Sequence, residues 1–93
     1  MIIYNQAHTE RIEYMLEKLE IHGYSLWENV QGRGSVTGVP HLGTHAWPEI
    51  NKSLIAMVDD DLVEKILDMV KKIDNVNEDV GIRAFVWDIL KSV

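Results

Sequence analysis

Two rhythms of apolar and polar residues take turns along this chain. Ile2, Ile3 and Tyr4 make a short apolar run that predicts a first strand over residues 2–5. From Thr9 the spacing lengthens. Ile12, Met15, Leu16 and Leu19 recur every three or four positions, which predicts a helix with Thr9 as its N-cap, His22 in its last turn and Gly23 as its stop. Residues 24–30 then alternate, with Tyr24, Leu26, Glu28 and Val30 set against Ser25, Trp27 and Asn29, as in a strand. Residues 54–58, Leu-Ile-Ala-Met-Val, are apolar throughout and predict a central strand covered on both faces. Asp59, Asp60 and Asp61 suit the start of a second helix, where carboxylates meet the positive end of the dipole. Its buried stripe is Leu62, Val63, Ile66, Leu67, Val70 and Ile73, with Lys71 and Lys72 at its C-terminal end. Residues 81–90 read as a last strand, with Ile82, Ala84 and Val86 on one face and Arg83, Phe85, Trp87 and Ile89 on the other.

The predicted order is βαββαβ. Two right-handed crossovers then give an α+β fold of the ferredoxin-like kind: a four-stranded antiparallel sheet with both helices on one face. The length suits a single domain over residues 1–93. Two helices cover only one side of such a sheet, yet Phe85, Trp87 and Ile89 would crowd the uncovered side. An apolar patch of that kind marks an interface, so an oligomer with its sheets packed inward is expected, most simply as a closed ring.

One stretch follows neither rhythm. Residues 31–51 hold four of the six glycines, both prolines, His41, His45 and Trp47. Connections this long in a small domain are usually functional or disordered. Val36, Val39, Leu42, Trp47 and Ile50 argue against a plain linker. A binding loop on a rigid scaffold is the expectation. Gly32, Arg33, Gly34, Ser35, Thr37 and Gly38 could present backbone N–H groups and one guanidinium to an anion; a glycine hinge beneath the loop is the competing reading.

Charge and composition then narrow the partners. The net charge is −6 and the basic residues are scattered, so the cationic stripe of a nucleic-acid binder is missing. No apolar run approaches the length of a membrane span, and the first residues lack the basic flank of a signal peptide, so a cytoplasmic location is expected. There is no cysteine to form disulfides or thiolate metal sites. No nucleophile elbow stands out, and the three aspartates before an apolar stripe suit helix capping better than acid–base work, so no enzyme is expected.

Three segments in order resemble the nitrogen-regulatory PII superfamily, whose members are trimeric ferredoxin-like signalling proteins. Ile21-His22-Gly23-Tyr24, followed by Glu28-Asn29-Val30-Gln31-Gly32-Arg33-Gly34, is similar to that family's second strand and its entry into a long loop through Gly-x-Gly. Residues 54–63 resemble the third strand, its acidic turn and the second helix. Gly81-Ile82-Arg83-Ala84-Phe85-Val86-Trp87-Asp88 resembles the glycine-led fourth strand. Ser35 stands where the family has an arginine, and Ile82-Arg83 replace its lysine after the fourth-strand glycine, so the resemblance is to a divergent member. It implies a homotrimer and a small-molecule effector, such as ATP, ADP or another nucleotide, bound in clefts between subunits. By position, the cleft residues would be Gly32, Arg33, Gly34, Lys52, Gly81 and Arg83. The long loop would act on a target protein, a transporter or an enzyme. The alternative within the same superfamily is a divalent-metal-binding trimer of the CutA kind. His41, His45 and Glu49 would be its ligands, since imidazole and carboxylate suit Zn²⁺ or Cu²⁺.

Overall fold

A computed structural model describes residues 1–32, 50–76 and 80–93. Among these the elements run β1 (Ile2–Asn5), a 3-10 turn (Gln6–His8), α1 (Thr9–Lys18), β2 (Ser25–Val30), β3 (Asn51–Ile55), α2 (Asp60–Val76) and β4 (Ile82–Ala84). The strands lie in the order β2-β3-β1-β4, all neighbours antiparallel. This is the ferredoxin-like α+β fold. Ile2 and Tyr4 of β1, Leu54 of β3 and Ile82 of β4 share one face, meeting Ile12, Met15 and Leu16 of α1 and Val70 and Ile73 of α2 in a single apolar core. Met57, by contrast, is exposed, although the apolar run over residues 54–58 predicts its burial.

α2 runs on to Val76, so Lys71 and Lys72 fall short of its last turn instead of marking its C-terminal end, and three further features differ from those the pattern predicts. The first is the end of α1. It stops five residues before Gly23, and His22 lies outside it. Glu20 takes a left-handed φ of 57°. The Ile21 amide then donates to the Leu16 carbonyl (2.8 Å) and the Glu20 amide to that of Glu17 (3.1 Å). Buried Ile21 sits beside buried Leu16 as the apolar clasp of this Schellman turn. A residue with a Cβ is strained there. Glu20→Gly is therefore expected to raise stability by about 1 kcal/mol in urea unfolding; a loss of stability would refute this account of the turn. At the other end, the Thr9 hydroxyl does not cap α1 but donates back to the Gln6 carbonyl at 2.6 Å.

The second difference is β2. Its register against β3 slips by one residue between Trp27 and Val30, where Asn29 adopts φ 61°. Asn tolerates this conformation better than most residues. The slip is a bulge, and it turns Val30 onto the face of Trp27 rather than that of Leu26.

The third concerns β3 and β4, both predicted too far toward their C-terminal ends. β3 is Asn51–Ile55 rather than residues 54–58, and β4 is Ile82–Ala84 rather than residues 81–90. Both are matched to β1. Asn5 to Ile2 pair with Asn51 to Leu54, and Tyr4 to Ile2 with Ile82 to Ala84. Met1 and Phe85 add the last exchange: the Met1 ammonium donates to the Phe85 carbonyl and the Phe85 amide to the Met1 carbonyl, each at 2.8 Å. Beyond Phe85 no strand lies alongside among the described residues, and Val86, Trp87, Ile89 and Leu90 stand exposed.

Candidate functional site

Four chain segments meet at one end of the sheet. β1 leaves it at Asn5, β2 ends toward Gln31 and Gly32, and β3 and β4 enter it at Asn51 and Ile82. The corner that follows β1 ties these ends together. The Asn5 amide donates to the Gly81 carbonyl (2.9 Å) and the Gln6 amide to that of Ile50 (2.8 Å). The Asn5 side chain accepts from the Ala7 amide at 2.9 Å and so shapes the corner itself. His8, buried within it, hydrogen-bonds the Val80 carbonyl through Nε2 at 3.0 Å. A carbonyl only accepts, so Nε2 carries the proton. Nδ1 is then a buried lone pair with no partner among the described residues. Nothing in the pattern of the chain singled out this role for His8, because the residues it joins lie 72 positions apart.

Of the candidate ligand residues, Gly32, Lys52, Gly81 and Arg83 are described. Arg33, Gly34, Ser35, Thr37, Gly38, His41, His45 and Glu49 lie outside the described residues. Gly32 is exposed and makes an isolated bridge just past β2. Lys52 pairs across the sheet with Tyr4, on the helix-covered face, and its largely buried side chain brings Nζ to 3.7 Å from Glu28. Glu28 is mostly in solvent, so the pair sits at the rim of the core. Tyr4 beside it is held above the ordinary tyrosine range, first by burial and then by the charges of Glu13, Tyr24 and Glu28.

Arg83 pairs with Ile3 and so belongs to the opposite face. β4 is an edge strand, and the Arg83 side chain reaches Asp74 of α2, 3.6 Å away, with a further bond to the Ile82 carbonyl. The two cations thus share one end of the sheet but serve different edges of it, Lys52 beside β2 and Arg83 beside α2. β2 and β4 form opposite edges, three strand spacings or about 14 Å apart. Gly32 therefore cannot close on Gly81 within one chain. Both candidate cations already face a carboxylate, but such pairs at or near the surface contribute only about 0–1 kcal/mol, and an anion of higher charge can displace them.

The model of the nitrogen regulatory protein P-II family matches the chain over residues 1–93. The chain belongs to that family. No curated protein matches it closely enough to stand as a relative. As a P-II family protein it is of a regulatory kind, and the metal-binding alternative gains no support from the match. Among the described residues no group of three His, Cys, Asp or Glu side chains is placed to hold a metal ion. No described helix is long and apolar enough to cross a membrane.

Proposed function

We propose that this P-II family protein is a homotrimeric regulator, cytoplasmic and without catalysis of its own. It binds a small anionic effector between subunits, and segment 31–51 carries the signal to a target protein. The observation that supports this reading best is the placement of the candidate residues. Gly32 and Lys52 lie toward one edge of the sheet and Gly81 and Arg83 toward the other, at the same end. In a ring with the sheets inward, one chain's β2 edge meets the next chain's β4 edge, and a crevice forms at each seam. Arg83 supplies a planar guanidinium suited to phosphate oxygens, and the one carboxylate it faces among the described residues is Asp74. Arg33, Gly34, Ser35, Thr37 and Gly38 extend the same anion-binding proposal into the loop. An adenine nucleotide, ATP or ADP, is the first candidate effector. Order in the loop would then depend on occupancy of the crevice, and target contact would follow.

Titration calorimetry against ATP, ADP, cyclic nucleotides and bicarbonate tests this. Binding of one of them is expected, and Arg83→Gln should weaken it about tenfold, the loss of one charge-assisted contact. No heat from any of the four classes at millimolar concentration would overturn the effector reading.

A further inference from the structure

The far side of the helices carries a second feature. α1 and α2 run antiparallel, since each returns from one of two antiparallel strands, and an open groove of about 610 Å³ lies between them. Its floor is apolar: Leu19, Met69 and Ile73, the outer surface of residues that also pack on the core. Its rim is basic: Arg11 and Lys18 on one wall, Lys65 and Lys72 on the other.

This arrangement runs against the composition of the helices. α1 and α2 together carry eight carboxylates and five cations. Four of the five cations line the groove, but only two of the eight carboxylates, Glu10 and Asp68, do so. The chain has a net charge of −6, yet this trough holds a positive surplus. Among the described residues the ion pairs are Lys52–Glu28 and Arg83–Asp74, so none of the four rim cations is matched with a carboxylate there. Lys18 instead lies over the Tyr14 ring, 5.7 Å from its centroid.

From this geometry we infer that the groove docks an acidic amphipathic helix of a partner protein. The spacing specifies the occupant. Arg11 and Lys18 are seven residues apart, as are Lys65 and Lys72, which puts each pair about 10 Å apart along its wall, or two helical turns. A third helix lying in the trough repeats at the same interval. Glutamates at i and i+7 on each flank of an apolar stripe would meet all four cations, while the stripe covers Leu19, Met69 and Ile73. Met69 gives the floor an adaptable surface for it. The site is distinct from the sheet end discussed above and does not depend on an effector there.

A synthetic helical peptide of about 20 residues tests the proposal, with a leucine stripe flanked by glutamates at i and i+7. Its control carries lysine in place of glutamate. The acidic peptide is expected to bind the intact protein and to shift the Met69 methyl resonance, while the lysine peptide does neither. Lys65→Glu with Lys72→Glu, both exposed and so compatible with the fold, should weaken binding at least about tenfold. Equal binding of the two peptides, binding unaffected by the double variant, or no binding of either would overturn the inference. So would attachment of anionic lipid vesicles through these lysines without peptide binding.

Discussion

If the proposed ring forms, Phe85→Glu combined with Trp87→Glu is expected to reduce it to single chains of 10.7 kDa. Both rings are about half exposed in the isolated chain, and Ile89 and Leu90 just after them are exposed as well. Each large side chain buried at a seam contributes on the order of 2 kcal/mol, so the pair accounts for a substantial part of every contact in a ring. Carboxylates in their place would need desolvation without a partner, which costs several kcal/mol more. The fold of the chain should survive. The Phe85 backbone, not its ring, makes the two 2.8 Å bonds to Met1 that finish the β1–β4 ladder. Sedimentation should therefore show a smaller particle, with helix content by circular dichroism unchanged. If the unaltered protein already sediments as one chain, or the variant keeps its size, the inward-facing ring is wrong and the seam crevice goes with it.

His8→Ala is expected to destabilise the fold by about 2–4 kcal/mol, a large fraction of the total stability of a domain this size. The imidazole is only 1% exposed, so truncation leaves a cavity and strips the Val80 carbonyl of its donor. His8→Leu should cost less. It refills most of the space and removes Nδ1, a buried acceptor with no donor among the described residues. The local effect matters as much as the global one. The same corner holds Gly81 and Ile50 through the Asn5 and Gln6 amides. Hydrogen exchange of those two amides should accelerate in His8→Ala. Both measurements should be made at one fixed protein concentration, because association adds to apparent stability. A variant with native stability and native exchange at Asn5 and Gln6 would remove His8 from its role as the fastener between the corner after β1 and the residues that lead into β4.

Particular residues mark how far the site could be read in advance. Gly81 was legible as the start of the last strand, and it is where the described chain enters β4. Lys52 and Arg83 were legible as cations near strand starts. Their partners, Glu28 and Asp74, were not, because Asp74 lies on a helix nine residues before Arg83 and is met only by reaching around a sheet edge. His8 precedes a helix, which a local pattern can show, but its grip on Val80 is a contact across most of the chain. The basic groove likewise needs two helices side by side. Each helix supplies only one of its two basic walls.

The rhythm of apolar residues was enough to specify the kinds of element, their order and most of the core. Ile12, Met15, Leu16, Val70 and Ile73 recur at the helical period, and burying them leaves few ways to arrange two helices on a sheet. Strand limits were beyond its reach. β3 and β4 end where β1 stops offering hydrogen bonds, and the β2 bulge depends on a register between two strands. Such pairings join positions far apart along the chain, so a local pattern carries no record of them. The stop of α1 at Glu20 is another case. A left-handed residue with a side chain is tolerated there because Ile21 is drawn into the core beside Leu16, and only the assembled core exerts that pull.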